Sequence, residues 1–229
     1  MKTKIFNLII LDESGSMSPL RQVTIDGCNE TINSIISSQR QYSATQDHYV
    51  SIYAFQGGSE IPSRYLLRDV AAAQVNHITP DNYCPWGNTP LYDAVGTTLA
   101  DLRNRVKNEE LAIGSVTIIT DGQENSSTHF TGEQVASMIK VLTEMGWNFN
   151  FIGANIDAAA TACKLNIDNA MQFEATQKGT AKMYENFNKG RMNFSKCINE
   201  ELLACDDDSC STEPVTERFK RAAKNFFGK

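Results

Sequence analysis

IFNLIILDESGSM, residues 5 to 17, is the stretch that decides the fold of this chain. Its first seven residues are almost all apolar, which is typical of a parallel strand covered on both faces, and the run ends abruptly at Asp12. Asp12, Ser14 and Ser16 then follow at alternate positions, so a turn could bring one carboxylate and two hydroxyls around a common point. Oxygen ligands of this kind are preferred by hard cations such as Mg²⁺. The stretch therefore predicts a buried strand that leads into a metal site.

A second part of the chain repeats this arrangement. The stretch SVTIIT at residues 115–120 is another predicted buried strand, and it is followed directly by Asp121 and Gly122. Thr89 and Pro90 come at the end of a turn-rich segment and precede a predicted helix. In open parallel sheets, ligands bind beyond the carboxyl ends of the strands. Asp12 and Asp121 are therefore expected at the same edge of the sheet, with Thr89 at the start of a helix beside them.

Predicted strands alternate with predicted helices along most of the chain. The strands are predicted at residues 5–11, 49–55, 64–70, 115–120, 147–152 and 170–173. The helices are predicted to begin at residues 18, 91, 131, 157 and 176. This alternation predicts an α/β fold with a doubly wound, mostly parallel six-stranded sheet, Rossmann-like, with helices on both faces. The short connection at residues 56–63 contains Gly and Pro, so it predicts a hairpin that leaves the third strand antiparallel at an edge.

The chain of 229 residues is interpreted as one domain, residues 1–195, and a C-terminal extension, residues 196–229. The extension is first acidic, at Asp206 to Asp208, and then basic. In its last stretch, ERFKRAAKNFFGK, one helical face carries the apolar residues Phe219, Ala222, Ala223, Phe226 and Phe227. Such a helix could bind a membrane surface or a partner, or fold back on its own domain. We favour packing on its own domain.

Composition and charge exclude several classes of function. The formal charge is −6, which argues against binding to nucleic acid. No apolar stretch approaches the roughly 20 residues of a membrane-spanning helix, and the N-terminal apolar run has no cleavage site of a secretion signal. The six cysteines are scattered and form no Cys-x-x-Cys pattern, so reduced thiols in a cytoplasm are expected.

Three separated pieces of the sequence together resemble a known site. Asp12-x-Ser14-x-Ser16, Thr89 before a helix, and Asp121-Gly122 after a buried strand resemble the metal-ion-dependent adhesion site (MIDAS) of von Willebrand factor type A (VWA) domains. The stretches GNTPLYDA, ITDGQENSS and FIGANIDAAATA are similar to those of small bacterial members of this family. The resemblance covers roughly residues 4 to 195 and is specific, because all three pieces must coincide.

The resemblance implies a set of ligands and a metal. Ser14, Ser16 and Thr89 would supply hydroxyl ligands, and Asp12 and Asp121 would act directly or through water. The implied metal is Mg²⁺, with Mn²⁺ or Ca²⁺ as substitutes. Two carboxylates and three neutral hydroxyls compensate a dication and leave part of an octahedral shell to water or to an incoming ligand.

Together with this donor set, the resemblance implies a binding module and not an enzyme. A Glu or Asp of a partner protein would complete the coordination, and the rim around the site would set specificity. Candidate rim residues come from the loops nearest the site: Tyr83, Trp86, Gly87, Asn88, Glu124, Asn125 and His129. The sequence specifies neither the identity of the partner nor the oligomeric state.

Two other interpretations stay open at this point. Each piece alone has an ordinary explanation, since Asp12 could cap a turn and Thr89 could be a helix N-cap. Alternatively, the protein could be a Mg²⁺-dependent phosphohydrolase or phosphotransferase that uses Asp12. Enzymes that form an aspartyl-phosphate and resemble haloacid dehalogenases carry a second Asp two positions on, where this chain has Ser14. The chain also has no nucleophile elbow, zinc-protease motif or phosphate loop.

Overall fold

Six strands form a single mixed sheet in the computed structural model, which describes residues 2–58, 61–154, 157–203, 213–224 and 226–227. The strands are β1 (Thr3–Asp12), β2 (Gln46–Phe55), β3 (Arg64–Ala71), β4 (Ala112–Thr120), β5 (Asn148–Ala154) and β6 (Asn169–Phe173). Their order across the sheet is β3-β2-β1-β4-β5-β6. Only the β2–β3 pair is antiparallel among the described strands. The predicted six-stranded α/β fold with an antiparallel edge strand is confirmed.

Among the described residues, six α-helices connect and follow the strands. They are α1 (Arg21–Gln41), α2 (Leu91–Val106), α3 (Gly132–Glu144), α4 (Ala158–Lys164), α5 (Gln177–Leu203) and α6 (Val215–Lys224). A short 3₁₀ helix, Gly15–Leu20, precedes α1 and contains Pro19, so the helix predicted to begin at Ser18 begins as 3₁₀ and becomes α-helical at Arg21. The predicted capping box of α3 is present, with Thr131 and Gln134 each accepting a hydrogen bond from the backbone N–H of the other.

The two faces of the sheet are covered by different helices. Helices α1, α5 and α6 pack on one face, around a core that includes Ile9, Ile52 and Tyr184. Helices α2, α3 and α4 pack on the other face, where Ile10 and Phe151 are buried. Neighbouring residues of the central strands point to opposite faces and both are buried, which explains why β1 is a nearly continuous apolar run.

The C-terminal helix packs on the domain itself. Phe219 and Ala222 of α6, and Phe226 after it, are buried in the core beneath α5. The apolar face of the C-terminal helix is therefore buried against its own domain and is not exposed for a membrane or a partner. Helix α5 continues without interruption through residue 195, and the boundary between domain and extension stays a prediction. Asp206 to Asp208 lie outside the described residues.

In the described part of the chain, no helix has the length and apolar composition needed to cross a membrane.

Candidate metal centre

The sheet order brings the two candidate aspartates to neighbouring strand ends. β1 and β4 are adjacent and parallel, with Leu11 opposite Ile119. Asp12 is the last residue of β1, and Asp121 immediately follows the last residue of β4. Both carboxylates therefore lie at the carboxyl edge of the sheet, as expected from the sequence.

Hydrogen bonds connect four of the five candidate ligands. The Ser16 hydroxyl donates to Asp121 Oδ1 at 2.6 Å, and the Oγ atoms of Ser14 and Ser16 are 3.1 Å apart. The backbone N–H of Ser14 donates to Asp12 Oδ1 at 2.7 Å. Ser14 and Ser16 lie where β1 passes into the 3₁₀ helix that begins at Gly15. Through Ser16, this turn is hydrogen bonded to Asp121 in the loop after β4.

Thr89 joins this group from the loop before α2. A Cβ atom placed on Gly122 would lie 3.3 Å from Thr89 Oγ1 and 3.9 Å from Ser16 Oγ, so both hydroxyls lie close to Gly122. Thr89 does not cap α2, because Pro90 holds the N-cap position, and the side chains of Glu124 and Ser127 accept the hydrogen bonds of the first-turn N–H groups. Asn125 holds the backbone of Thr89 instead, through hydrogen bonds of 2.8 Å and 3.2 Å.

Burial makes the charges of both carboxylates unfavourable. Asp12 is 0 % exposed and Asp121 is 4 % exposed. Burial raises the pKa of Asp12 to about 6, against the lowering effect of hydrogen bonds from Thr120 and Ser14, and the nearby charge of Asp121 raises it further. Burial also raises the pKa of Asp121, although the Ser16 hydroxyl opposes this shift. Two acids are therefore held together in a site that destabilises their ionised forms.

Within the part of the chain that the structure describes, no cationic side chain pairs with these carboxylates. Neither Asp12 nor Asp121 forms a salt bridge with a described Lys, Arg or His side chain. Buried charges are normally paired or coordinate a metal, so a buried acid pair surrounded by hydroxyls fits a hard dication. Within the described ranges, no group of three or more His, Cys, Asp and Glu side chains could hold a metal ion. Any metal at this edge therefore depends on the hydroxyls of Ser14, Ser16 and Thr89.

Thr120 is a site residue that the sequence reasoning missed. Its hydroxyl donates to Asp12 Oδ2 at 2.5 Å and accepts from the backbone N–H of Gly122 at 3.1 Å. It thereby fixes the second carboxylate oxygen of Asp12 and ties β1 to the loop after β4. Its position as the last residue of a buried strand beside Asp121 is the signal that could have identified it.

Glu13 is the second residue that was missed, and it holds the loop that carries Thr89. Its carboxylate is buried and accepts hydrogen bonds from Arg64 at 2.7 Å and 3.1 Å and from the backbone N–H of Cys84 at 2.5 Å. Its carbonyl oxygen accepts from the backbone N–H of Trp86 at 2.8 Å. These hydrogen bonds fix the loop of residues 79–90 against the end of β1, where Glu13 lies between the candidate ligands Asp12 and Ser14.

The candidate rim residues have different roles in the structure. Tyr83 is fully buried and donates its hydroxyl proton to the carbonyl oxygen of Asp12 at 2.7 Å, so it packs beneath the site and is not part of the rim. Trp86, in the same loop, is 60 % exposed. Glu124 accepts hydrogen bonds from the backbone N–H groups of Tyr92, at 2.9 Å, and Ser127, at 2.7 Å, and so organises the loop after β4.

The structure thus brings all five predicted ligands to one edge of the sheet. Asp12, Ser14, Ser16 and Asp121 are linked by hydrogen bonds, and Thr89 lies beside Gly122. Ligation of a metal by these residues stays a prediction.

No family model and no curated protein matches the sequence. Comparison with solved structures finds similar domains at low sequence identity. Proximal thread matrix protein 1 from the mussel byssus, with a zinc-occupied MIDAS motif, matches with a TM-score of 0.55 and 14 % identity over 83 % of this chain and 46 % of that chain. The pilus adhesin SpaC from Lactobacillus rhamnosus GG, in an open conformation, matches with a TM-score of 0.55 and 11 % identity over 84 % of this chain and 30 % of that chain.

The SpRpn10 VWA domain matches with a TM-score of 0.51 and 10 % identity, over 79 % of this chain and 93 % of that domain. This chain spans less than half the length of the mussel protein and of the pilus adhesin. At these identities, the similarity defines the fold alone.

Proposed function

This chain has the α/β fold of von Willebrand factor type A domains, and on that premise we propose that it is a divalent-metal-dependent protein-binding module. In this proposal, the metal is Mg²⁺ and a carboxylate of a partner protein completes its coordination. Asp12, Ser14, Ser16, Thr89 and Asp121 would hold the metal.

One observation carries the proposal. Two buried carboxylates, Asp12 and Asp121, converge with three hydroxyls at the carboxyl edge of the sheet, and no described cationic side chain pairs with them. An arrangement of this kind is costly unless a cation binds it. Oxygen donors alone favour Mg²⁺, Mn²⁺ or Ca²⁺ over softer metals.

The five candidate ligands would supply the metal with two kinds of donor, charged carboxylates and neutral hydroxyls. When bound, the dication supplies a Lewis-acidic position for an oxygen of the partner's carboxylate. Asp12 and Asp121 supply negative charge, while the hydroxyls of Ser14, Ser16 and Thr89 add donors without adding charge. The site keeps a net charge near zero, so it remains attractive to an anionic ligand. Thr120 and Asn125 orient Asp12 and Thr89.

Trp86 supports a role for this edge in contacting a protein. It is a large exposed aromatic side chain in the loop that leads to Thr89, and its backbone is fixed to Glu13. Aromatic residues with fixed backbones are common anchors in protein interfaces. We expect the partner to place an apolar group on the Trp86 indole beside its carboxylate.

Calorimetric titration of the full chain with MgCl₂ or MnCl₂ tests the metal site. We expect binding to the wild type and loss of binding in Ser14→Ala/Ser16→Ala. Ser18→Ala is the matched control, because Ser18 is an exposed serine of the same 3₁₀ helix that lies outside the candidate ligand set. An absence of heat for the wild type, or equal binding by the double variant, would refute the proposed site.

Capture of partners from the native cell extract tests the binding role. We expect specific proteins to be retained in MgCl₂ and lost both in EDTA and with Asp12→Ala. Asp81→Ala, at an exposed loop aspartate, should retain them. Retention that is the same under all these conditions would contradict a metal-dependent interaction.

The proposal also states that the protein is not an enzyme. Incubation of the purified chain with p-nitrophenyl phosphate and Mg²⁺ tests the alternative of a phosphohydrolase that uses Asp12. Turnover that Asp12→Ala abolishes would replace the binding module with the enzyme.

A cytoplasmic location, in a bacterium, completes the proposal. Cys28, Cys84, Cys163 and Cys197 are free thiols in the structure, which is typical of a reducing compartment. The bacterial origin rests on the similarity of the three sequence stretches to small bacterial VWA proteins. Fractionation of the source cells would test the location, and recovery of the chain outside the cytoplasm would contradict it.

A further inference from the structure

The two edge strands of the sheet, β3 and β6, differ in how well they are protected from pairing with a strand of another chain. β3 carries Arg68 and Asp69, has register shifts against β2, and places Asp69 at a positive φ of 47°. Salt bridges from Arg68 to Asp101 and from Arg105 to Asp69 extend across this edge. Charges and irregularities of this kind prevent an edge strand from pairing with another chain.

β6 has none of these protections. Its sequence, NAMQF, contains no charged residue and no proline, and it pairs with β5 in uninterrupted register from Asn169 to Phe173. In the described part of the chain, no group outside β5 hydrogen bonds to the backbone of residues 170–172. β6 is the last strand of the sheet, so the backbone N–H and C=O groups on its outer side have no partners among the described residues.

A groove runs along this free edge. It consists of two adjoining cavities of about 580 Å³ and 460 Å³, which share Met171 and Gln172 of β6 and Asn186 of α5. Helix α5 forms one wall. The aromatic rings of Phe226 and Phe227 close one end, and Lys178 and Lys182 line the other. The groove therefore joins an unpaired strand edge to an apolar end and a basic end.

The charges along the groove differ from those of the whole molecule. The chain carries a formal charge of −6, yet the charged residues of the groove are three lysines and one acid. Lys189 is paired with Glu185 at 2.6 Å, whereas Lys178 and Lys182 form no salt bridge within the described residues. Glu174 is the only acid among the described residues that line the groove.

We propose that β6 binds an extended acidic segment of a partner protein, which adds to the sheet as a seventh strand. Backbone hydrogen bonds to residues 169–173 supply the main contact, as in other cases of strand addition. A segment of five residues in this conformation is about 17 Å long. Its acidic side chains meet Lys178 and Lys182, and an apolar side chain at the other end meets Phe227.

A second copy of the chain fits this edge less well. In an antiparallel pair of two β6 strands, the basic end of one groove would lie against the apolar end of the other, so Lys178 and Lys182 would meet no acidic partner. The inference is independent of the metal site, because β6 and α5 supply the groove and none of the candidate ligands lines it.

Selection from a random heptapeptide display library tests the proposal. The full chain is used as bait in EDTA, which silences any metal-dependent contact. We expect the recovered peptides to be rich in Asp, Glu and β-branched residues and poor in Pro. Failure to enrich any peptide, or enrichment of basic peptides, would overturn the proposal.

The best recovered peptide is then synthesised, and its affinity is measured by fluorescence anisotropy. Lys178→Glu/Lys182→Glu should weaken binding at least tenfold. Lys140→Glu/Lys196→Glu is the control, since both of its lysines are exposed and lie outside the groove. Asp12→Ala should leave the affinity unchanged, which separates this site from the metal centre.

Two N-methylated versions of the peptide test strand addition itself. Each version is methylated at every second amide, so that one of the two loses the N–H groups that face β6. We expect one version to lose binding and the other to retain it. Equal binding by both versions would overturn strand addition. A dimer of the free protein, seen by light scattering, whose stability Lys178→Glu/Lys182→Glu changes would assign this edge to a second copy of the chain and overturn the proposed partner.

Discussion

Replacement of Asp12 by Asn should stabilise the metal-free protein. Asp12 is fully buried, and burial raises its pKa to about 6 from the ordinary value of 3.8. In the unfolded chain this carboxyl ionises near its ordinary pKa, so the folded state carries an unfavourable charge at neutral pH. At pH 7.5, a rise in pKa from 3.8 to about 6 corresponds to a loss of about 3 kcal/mol in the free energy of unfolding.

Asparagine removes this charge while preserving the shape of the side chain. Its carbonyl oxygen can still accept the hydrogen bond from the Ser14 N–H, and the Thr120 hydroxyl can rotate to accept from the new amide. We therefore expect a gain of up to about 3 kcal/mol in the free energy of unfolding in EDTA at pH 7.5. For a chain of this size, that gain raises Tm by about 6–12 °C.

Addition of MgCl₂ should cancel most of this advantage. At a concentration one hundred times its dissociation constant, a ligand that binds only the folded state stabilises it by about 2.7 kcal/mol. The wild type should gain this stability and Asp12→Asn should not. Urea unfolding of both proteins, in EDTA and in MgCl₂, measures the four free energies, and Asp81→Asn serves as the exposed control.

Two results would refute this reasoning. If Asp12→Asn is less stable than the wild type in EDTA, the buried charge is not a net cost in the metal-free fold. If MgCl₂ stabilises Asp12→Asn as much as the wild type, Asp12 does not take part in holding the metal. The first result concerns the electrostatics of the site and the second concerns its function.

Three further predictions concern the residues around the site and the opposite end of the sheet. Thr120→Val removes the hydrogen bond to Asp12 Oδ2, so we expect the dissociation constant for Mn²⁺, measured by calorimetry, to rise about tenfold; an unchanged constant would contradict the positioning role. Arg64→Gln leaves the buried carboxylate of Glu13 without its cation, so urea unfolding should show a loss of about 2–3 kcal/mol, which Glu13→Gln/Arg64→Gln should largely restore. If the double variant is as unstable as the single one, the buried charge is not the cause. Burial lowers the pKa of His48 to about 3, below its ordinary value of 6.5, so the unfolded chain binds a proton that the folded chain does not. The contribution of His48 to stability should therefore fall by about 1.4 kcal/mol between pH 7.5 and pH 5.5. The raised pKa of Asp12 acts in the opposite direction over this range, so the measurement is the difference in pH dependence of urea unfolding between the wild type and His48→Gln, which should lose the His48 part.

Much of the fold could be predicted from local patterns. The apolar run before Asp12 predicted a central strand because both faces of a parallel sheet are buried. The short Gly- and Pro-containing connection before Arg64 predicted the antiparallel edge, and the structure confirms it. The start of α1 was less predictable, since Pro19 is compatible with either kind of helix and the chain adopts a 3₁₀ helix first.

The candidate ligands could be predicted, but the residues that position them could not. Asp12, Ser14 and Ser16 form a pattern within a few residues, which is visible without coordinates. Thr120 and Glu13 show no such pattern, because their roles depend on partners that only folding brings near: Asp12 for Thr120, and Arg64 for Glu13. For the same reason, the sequence did not distinguish buried Tyr83 from exposed Trp86.

The sequence by itself determined the order of strands and helices along the chain and the chemical types of the candidate ligands. Both follow from apolar periodicity and side-chain chemistry, which are local properties. The tertiary structure alone decided which distant side chains meet, that α6 covers its own domain, and that β6, as the last strand of the sheet, lies beside Lys178 and Lys182. These features depend on packing between elements far apart in the chain, and the free energy of such packing is not encoded in any single segment.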